Sequence, residues 1–417
     1  MYKTYFKQAF EMLKQNKFFS IISILGTALA IMMIMIILVA DGIRNTSVTP
    51  ESNRGRTLYL NHSVLTDSVK KMTTTSAVVP YSIIKDYIQL LKTPVMISAY
   101  SGSHNYVNTE QSPENMYLEI KYTDTEYWKF LTISILKGRI YSKEEFLAGS
   151  KVAVISEKTA KQLFVGEEAI GQDINIDTVP YRVIGITKTI SPIFNIAISD
   201  IWIPYTSKEE RYFNVMLLYN NKSDIKAIKN ELREIEKKFQ YDNAGQTLFL
   251  RGPDTHRVKS MGIWGEDDER INNLTKIKNN KLWFVLVIFM LVPTINLSGL
   301  NMSRIKRRTP EIGVRKAFGA KKHIILIQML CENLITSFTG GIIGLVFSIF
   351  TIFHMRERLL DIPPDSEIPF NAIITIPVIL SVFTVCVIIN VLSTAIPAYR
   401  ASRMTIVSSI TNNDKPS

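Results

Sequence analysis

The pattern of apolar and polar positions divides the chain into four long apolar runs, with one long mixed segment between the first run and the second. The first run, residues 18–40, contains twenty-three residues and no charged side chain. A helix rises about 1.5 Å per residue, so about 20 residues cross the roughly 30 Å hydrocarbon layer of a membrane. Similar runs at residues 282–302, 324–353 and 373–394 predict further spans. The sequence therefore predicts a membrane protein with four transmembrane α-helices.

The first apolar run follows a basic start, which is also the pattern of a secretory signal peptide. Its core is longer than that of a signal peptide, and residues 41–44, which follow it, have no small-residue cleavage pattern. We therefore predict that residues 18–40 remain in the chain as a membrane anchor.

The net charge of +12 would by itself suggest nucleic-acid binding. The excess, however, lies in three short segments beside the predicted spans. Residues 1–17 carry four Lys and one Glu, residues 303–323 carry eight Lys or Arg and one Glu, and residues 399–417 carry three Lys or Arg and one Asp. We therefore expect the lipid membrane to be a partner of this chain, and no nucleic acid.

The same charges predict the orientation, because short basic segments beside a span stay on the cytoplasmic side. The two termini, residues 1–17 and 395–417, are therefore predicted on the cytoplasmic side of a cell (inner) membrane. The large segment 41–281 and the short loop 354–372 are predicted outside.

The exterior segment has the mixed pattern of an α+β domain. Its alternating apolar runs predict strands at Thr57–Val64, Val95–Ser101, Met116–Tyr122, Lys151–Ile155, Tyr181–Thr187, Ile201–Tyr205, Val215–Tyr219 and Thr247–Arg251. Helical periodicity occurs at residues 80–92, 158–164 and 224–239, with Ser156 and Ser223 as predicted N-caps. The order of elements suggests two β-α-β halves that enclose an inserted middle piece. No disulfide is expected there, because the two cysteines of the chain, Cys331 and Cys386, fall at or within predicted spans.

Residues 271–281 are polar, lack Gly and Pro, and run directly into the second predicted span. They predict a helical stalk that continues this span outward. A disordered linker is the alternative.

No enzymatic pattern is found. The histidines, His62, His104, His256, His323 and His354, are scattered and form no H-E-x-x-H pair. Residues 223–226 match S-x-x-K without its companion motifs, and the acidic residues 266–269 lack the glycine and spacing of a calcium loop. We expect no catalytic or metal site and interpret residues 266–269 as a solvated turn.

Residues 295–320 read INLSGLNMSRIKRRTPEIGVRKAFGA. This stretch resembles the cytoplasmic signature of the MacB/FtsX-like permease superfamily, R-[RK]-x-x-E-[IV]-G-[IV]-R-[KR]-A-[LF]-G-A. Residues 138–186, with Gly138-Arg139 and Val183-Ile184-Gly185-Ile186, look like the periplasmic core domain of MacB-like permeases, and residues 396–403 are similar to the closing P-A-x-x-A motif. The resemblance implies an exterior domain with a porter-like part and an inserted subdomain.

The resemblance also implies an ATPase, but the sequence contains no Gly-Lys dipeptide and therefore no G-x-x-x-x-G-K-[ST] phosphate loop. Only about 17 residues precede the first span. We therefore expect a separate cytoplasmic ABC ATPase subunit that binds ATP and Mg, and no cofactor on this chain. A second permease copy or a homologous permease is the other expected partner.

The basic segment 303–323 is the predicted point of contact with that ATPase. If a helix begins at Pro310, Glu311 lies in its first turn, where the helix dipole stabilises a negative charge, and Gly319 can end it. The resemblance implies that the following residues couple the permease to the ATPase: Arg307, Arg308, Glu311, Ile312, Gly313, Val314, Arg315, Lys316, Phe318 and Gly319. A plain basic loop without a partner is the alternative that the residues alone leave open.

Gly340, Gly341 and Gly344 place small residues at helical spacing, which permits close approach of another helix. Two alternatives are open for this approach: packing within one chain and packing between two chains of a dimer. Glu332, at the cytoplasmic margin of the third span, is interpreted as an interface residue, with a gating role as the alternative.

The predicted function is that of the permease subunit of an ABC-type exporter or mechanotransmission complex. The alternative is a membrane-anchored exterior binding or regulatory module without an ATPase partner. The spans show no obvious hydrophilic conduit, which favours mechanical work outside the membrane.

Overall fold

The computed structural model describes residues 17–76, 78–110, 112–208, 212–263, 266–307, 313–314, 317–318, 322–360, 362 and 376–403. Its contacts form two compact units, which are described separately. The helical unit contains the described residues of 1–41, 279–359 and 373–417. The sheet unit contains those of 42–278 and 360–372.

The elements of the described chain follow in sequence order. The α-helices are α1 (Lys17–Asn45), α2 (Tyr81–Asp86), α3 (Tyr127–Phe130), α4 (Lys143–Leu147), α5 (Glu157–Leu163), α6 (Asp224–Asp242), α7 (His256–Ser260), α8 (Asp268–Arg307), α9 (Lys322–His354), α10 (Arg356–Leu360) and α11 (Ile376–Arg403). The strands are β1 (Thr57–Leu60), β2 (His62–Asp67), β3 (Met72–Ser76), β4 (Val79–Pro80), β5 (Met96–Asn108), β6 (Met116–Thr123), β7 (Ile135–Gly138), β8 (Val152–Ser156), β9 (Asp173–Ile176), β10 (Val179–Thr187), β11 (Ile201–Pro204), β12 (Tyr212–Leu218), β13 (Gln246–Arg251) and β14 (Asp254–Thr255).

Among the described residues, three helical stretches are long and apolar enough to cross a membrane. They are Ser20–Asn45 in α1, Met329–His354 in α9 and Val378–Ala395 in α11. They fall in the first, third and fourth predicted spans. The second predicted span, residues 282–302, lies within α8, and the count of four spans stays a prediction.

Helix α8 runs without a break for 40 residues. The polar stretch 271–281 and the apolar stretch 282–302 therefore form one helix, as the stalk prediction requires, and a disordered linker is excluded. The acidic residues 266–269 are only partly the predicted turn, because Asp268 and Glu269 form the first turn of α8. Negative charge at that end is favourable because the helix dipole is positive there.

The sheet unit contains a large sheet in the order β14-β1-β12-β5-β6-β11-β8-β10-β7, with β4 and β9 paired at its side, and a small sheet in the order β13-β2-β3. The large sheet is buried on both faces at β11. There Ile201 and Ile203 belong to one hydrophobic cluster and Trp202 to another, since successive side chains of a strand point to opposite faces.

The predicted α+β class of this unit is confirmed, and so are two β-α-β halves around a middle piece. Strands β1 and β5, connected through α2, lie on either side of β12; strands β12 and β14, connected through α6, lie on either side of β1. Within the middle piece, strand β8, helix α5 and strand β10 form a further such unit with direct parallel pairing. Because β1 pairs antiparallel with β12, the first and last parts of the segment share one edge of the large sheet. The predicted strand 57–64, however, is split, because β1 joins the large sheet and β2 the small one.

One of the two predicted N-caps, Ser156 and Ser223, caps its helix in the structure. Ser156 accepts a hydrogen bond from the backbone N–H of Thr159 at 3.1 Å and caps α5, as predicted. Ser223 occupies the N-cap position of α6, but its side chain makes no capping hydrogen bond. The Asp224 carboxylate instead accepts from the backbone N–H of Asn221 at 2.8 Å.

Candidate coupling site and helix exit

The predicted coupling segment is described only in part. Arg307 ends α8, and Gly313, Val314 and Phe318 are described. Six predicted residues lie outside the described part: Arg308, Glu311, Ile312, Arg315, Lys316 and Gly319.

The described part of this segment exposes two apolar side chains. Val314 is 50% exposed and Phe318 is 89% exposed. The backbone N–H of Phe318 donates to the carbonyl oxygen of Val314 at 3.1 Å, which is the hydrogen bond of one helical turn. Residues four apart lie on the same face of a helix. The turn therefore presents a small apolar face of the kind that a partner's groove buries.

A hydrogen-bond network joins the helices on either side of this segment. Asn301 of α8 donates from Nδ2 to Thr394 Oγ1 of α11 at 3.3 Å. Thr394 in turn donates to Asn390 Oδ1 at 3.2 Å, and Asn390 donates from Nδ2 to the Leu330 carbonyl oxygen of α9 at 3.2 Å. Asn301, Thr394 and Asn390 are all buried.

This network connects α8, α9 and α11 within the helical unit. Polar side chains in membrane helices are costly unless they face protein partners, and hydrogen bonds between helices then hold the helices in register. Sequence reasoning did not single out Asn301 or Thr394. The signal for Asn301 was an asparagine one turn before the basic segment.

The glycines of α9 pack against helices of the same chain. A β-carbon on Gly340 would lie 2.8 Å from Thr27 Cβ of α1, and one on Gly341 would lie 2.5 Å from Cys386 Sγ of α11. Gly344 lies equally close to the backbone of α1. Of the two alternatives for these glycines, the structure therefore places them in packing within one chain.

A second cluster of polar side chains lies in the sheet unit, where the chain leaves α1. Arg54 and Glu51 are both buried and form an ion pair of 2.7 Å. Arg54 Nη1 donates to the carbonyl oxygen of Ile43 at 2.7 Å. The last carbonyl groups of a helix have no partner within the helix, and a nearby basic side chain can satisfy them.

His256 of α7 binds the same helix end. Its Nε2 lies 2.9 Å from the Arg44 carbonyl oxygen, so Nε2 carries the proton and donates it. Burial, together with the nearby Arg54 charge, lowers the pKa of His256 to about 4. The imidazole is therefore neutral at physiological pH. Ser260 adds a hydrogen bond to Asn45 Oδ1 at 2.7 Å.

This cluster was missed by sequence reasoning. The only local signal was an oppositely charged pair, Glu51 and Arg54, three residues apart just after a predicted span. In the described part of the chain, no group of three or more His, Cys, Asp and Glu side chains is arranged to hold a metal ion.

Two family models match the chain. The model of the MacB-like periplasmic core domain matches residues 20–235. The model of the FtsX-like permease C-terminal region matches residues 283–406. The second match includes the network residues and the predicted coupling segment.

Individual relatives agree with these matches. The chain is 28% identical over 224 residues to a Bacillus subtilis (strain 168) protein described as an uncharacterized ABC transporter permease, YknZ, covering 52% of this chain and 53% of that protein. It is 24% identical over 349 residues to the macrolide export ATP-binding/permease protein MacB of Wolinella succinogenes, covering 82% of this chain and 52% of that protein. The chain thus spans about half the length of the curated relatives it matches.

A solved structure is also similar to part of the chain. It is the extracellular domain of a noncanonic ABC-type transporter, YknZ, from Gram-positive bacteria. The match has 16% sequence identity and a TM-score of 0.35, and it covers 45% of this chain and all of that one.

Proposed function

The chain belongs to the MacB/FtsX-like family of ABC transporter permeases, and from this membership we propose that it is the permease subunit of an exporter or mechanotransmission complex. A separate cytoplasmic ABC ATPase hydrolyses ATP, and the permease turns that cycle into motion of its sheet unit outside the membrane. The proposal places ATP hydrolysis outside these 417 residues, because they contain no phosphate-binding loop.

The observation that carries this proposal is the exposed apolar face of Val314 and Phe318. A Phe side chain that is 89% exposed loses the free energy of burial unless a partner covers it. Phe318 lies in the basic segment that follows α8, and Asn301 of α8 belongs to the network that joins α8, α9 and α11. This position supports a contact through which movement of the ATPase is passed to these helices.

The proposed topology has four spans, with both termini and the coupling segment in the cytoplasm and residues 41–281 outside a cell (inner) membrane. The second span is the stretch 282–302 of α8. The permease pairs with a second copy or with a homologous permease.

We further propose that the output is mechanical. The polar side chains that carry this suggestion lie in the helical unit and form hydrogen bonds where helices pack together or within a single helix. Asn390, Thr394 and Asn301 form one network between helices, and Thr27 and Thr339 donate to carbonyl groups of their own helices.

The ATPase contact is tested with the tagged full-length chain purified from its native membranes. We expect an ABC ATPase subunit and ATP hydrolysis to co-purify with the native protein. Val314→Asp and Phe318→Asp should lose both, because a carboxylate cannot be buried in an apolar groove without a large cost. Val165→Asp is the matched control, since Val165 of the sheet unit is 84% exposed.

Recovery of the same ATPase with the variants, or the absence of any ATPase from the native preparation, would contradict the proposal. It would instead favour the alternative of a membrane-anchored binding or regulatory module.

The topology is tested by cysteine labelling in spheroplasts, in a background in which Cys331 and Cys386 are serine. A membrane-impermeant maleimide should label Val165→Cys at once and Phe318→Cys only after permeabilisation. Opposite sides for these two positions require that residues 282–302 cross the membrane. Labelling of both from the outside would contradict the four-span topology.

A further inference from the structure

We infer that Arg54, held by Glu51, is the positioning residue that passes movement of α1 into the core of the sheet unit. This inference rests on the proposed function, because it concerns the route of the ATP-driven motion. The two side chains and the backbone groups that they bind are called the exit joint below. All of these groups lie in the sheet unit.

The first half of the exit joint is the set of hydrogen bonds from Arg54 to the end of α1. Its Nη1 donates to the carbonyl oxygen of Ile43 at 2.7 Å and lies 3.3 Å from that of Arg44. These are carbonyl groups of the last helical turn. The joint thus binds the helix backbone itself, so any displacement of this turn acts directly on the guanidinium group.

The second half is the binding of a distant loop between β10 and β11. Arg54 Nη2 donates to the Ile193 carbonyl oxygen at 3.2 Å, and the guanidinium group lies 4.9 Å from the centre of the Phe194 ring. Glu51 Oε1 accepts from the backbone N–H groups of Ile196 and Ala197, each at 3.0 Å. One ion pair therefore holds two chain segments that are about 150 residues apart in sequence.

Hydrogen bonds join this loop to helix α3 and to strand β6 of the large sheet. Tyr127 donates from its hydroxyl to the Ile196 carbonyl oxygen at 2.6 Å. Lys121 of β6 donates to the carbonyl oxygens of Asn195, at 3.2 Å, and Ile198. Strand β11 begins at Ile201 and lies between β6 and β8. A shift of the loop therefore reaches the middle of the large sheet.

The chemistry of the joint favours a positioning role over a purely stabilising one. Replacement of a buried ion pair by apolar side chains of similar size is often neutral or stabilising. An apolar pair, however, cannot bind carbonyl and N–H groups in fixed directions. The planar guanidinium group presents five N–H donors in a rigid arrangement, and here it divides them between Glu51, the helix end and the loop.

The test uses the full-length chain in nanodiscs with its co-purified ABC ATPase, and it measures backbone hydrogen exchange with and without ATP. In the native protein we expect ATP to change exchange both at residues 42–56 and at residues 190–204. In Arg54→Met the change at 42–56 should remain and the change at 190–204 should be lost. Arg182→Met, which breaks the exposed ion pair with Asp173, is the matched control and should keep both changes.

Arg54→Lys keeps the charge and guards against a variant that fails to fold. One ammonium group cannot reach Glu51, Ile43 and Ile193 in the geometry of the guanidinium group, so the ATP-dependent change at 190–204 should still be lost. The exchanged pair Glu51→Arg/Arg54→Glu should not restore it, because the backbone groups at each site need a donor or an acceptor and not merely a charge.

Native-like changes at 190–204 in Arg54→Lys and Arg54→Met would overturn the inference and leave the proposed function intact. A uniform rise in exchange without ATP in Arg54→Lys would also overturn it, because that result means a stabilising role only. If the native complex shows no ATP-dependent change at all, the proposed function fails together with the inference.

Discussion

Gly344 of α9 lies so close to Ala28 of α1 that a β-carbon on Gly344 would stand 2.5 Å from the Ala28 carbonyl oxygen. Side-chain carbons do not approach a carbonyl oxygen that closely, so Gly344→Val must push the two helices apart. We expect the variant to lose about 1–3 kcal/mol of stability, as overpacked cores do. Thermal unfolding of the purified full-length chain in detergent measures this loss.

Gly26→Val in α1 is the matched control, because a β-carbon there has no atom within 4 Å. It should unfold close to the native temperature. Equal unfolding temperatures for Gly344→Val and the native chain would mean that α1 and α9 do not pack as described.

A second glycine prediction concerns the sheet unit. Gly185 of β10 pairs with Gly138 of β7, and a β-carbon on Gly185 would lie 2.3 Å from the Arg139 carbonyl oxygen. Gly185→Ala should therefore cost about 1–3 kcal/mol, since the contact atom is backbone and cannot turn away. Gly102→Ala, whose β-carbon would meet its nearest atoms at 3.9 Å, should cost much less. Urea unfolding followed by tryptophan fluorescence compares the two, and similar midpoints would refute the β7–β10 pairing.

The network between membrane helices gives a third prediction. Asn390→Leu removes the hydrogen bonds to Thr394 and to the Leu330 carbonyl oxygen. We expect a loss of about 1 kcal/mol, the usual size of a hydrogen bond between membrane helices. Thr384→Val is the control, because Thr384 is exposed and donates to the Leu380 carbonyl oxygen of its own helix. Thermal unfolding in detergent should rank Asn390→Leu well below this control, and the opposite order would count against the network.

The pH dependence of stability should reveal the neutral His256. Its pKa in the folded chain is about 4, lowered by burial and by Arg54, and its ordinary value is about 6.5. The folded state therefore binds fewer protons than the unfolded state between these values. Stability is complete above about pH 6.5 and is lost as the pH falls towards 4. Between pH 7 and pH 5 the loss should be about 2 kcal/mol.

His256→Gln keeps an N–H donor for the Arg44 carbonyl oxygen but cannot titrate. Urea midpoints at pH 7 and pH 5 should therefore differ less in this variant than in the native chain. An equal pH dependence in both would show that His256 does not carry the effect.

Local patterns predicted the elements of this protein well. The apolar runs at 18–40, 324–353 and 373–394 coincide with helices suited to a membrane, and the predicted strands of the exterior segment fall within observed strands or at their edges. Hydropathy and alternation are properties of neighbouring residues, so a sequence displays them directly. The Ser223 cap failed because Ser223 has helical backbone angles, φ −60° and ψ −32°, in place of the extended conformation of a capping residue.

Partners that are distant in sequence were not predictable from such patterns. Asn301 and Thr394 are 93 residues apart, and the glycines of α9 left open whether they face the same chain or another. The strand order likewise depends on the pairing of β1 with β12, and no local sequence pattern predicts that pairing.

The amino-acid sequence was enough to recognise a membrane permease of a known family. The apolar runs, the basic segments beside them and the signature at residues 295–320 are all patterns of neighbouring residues. The tertiary structure alone decided that Glu51 and Arg54 join the end of α1 to the loop at 193–197. The physical reason is that a buried ion pair is tolerated only where several segments meet to satisfy its hydrogen bonds, and that meeting exists only in the folded chain.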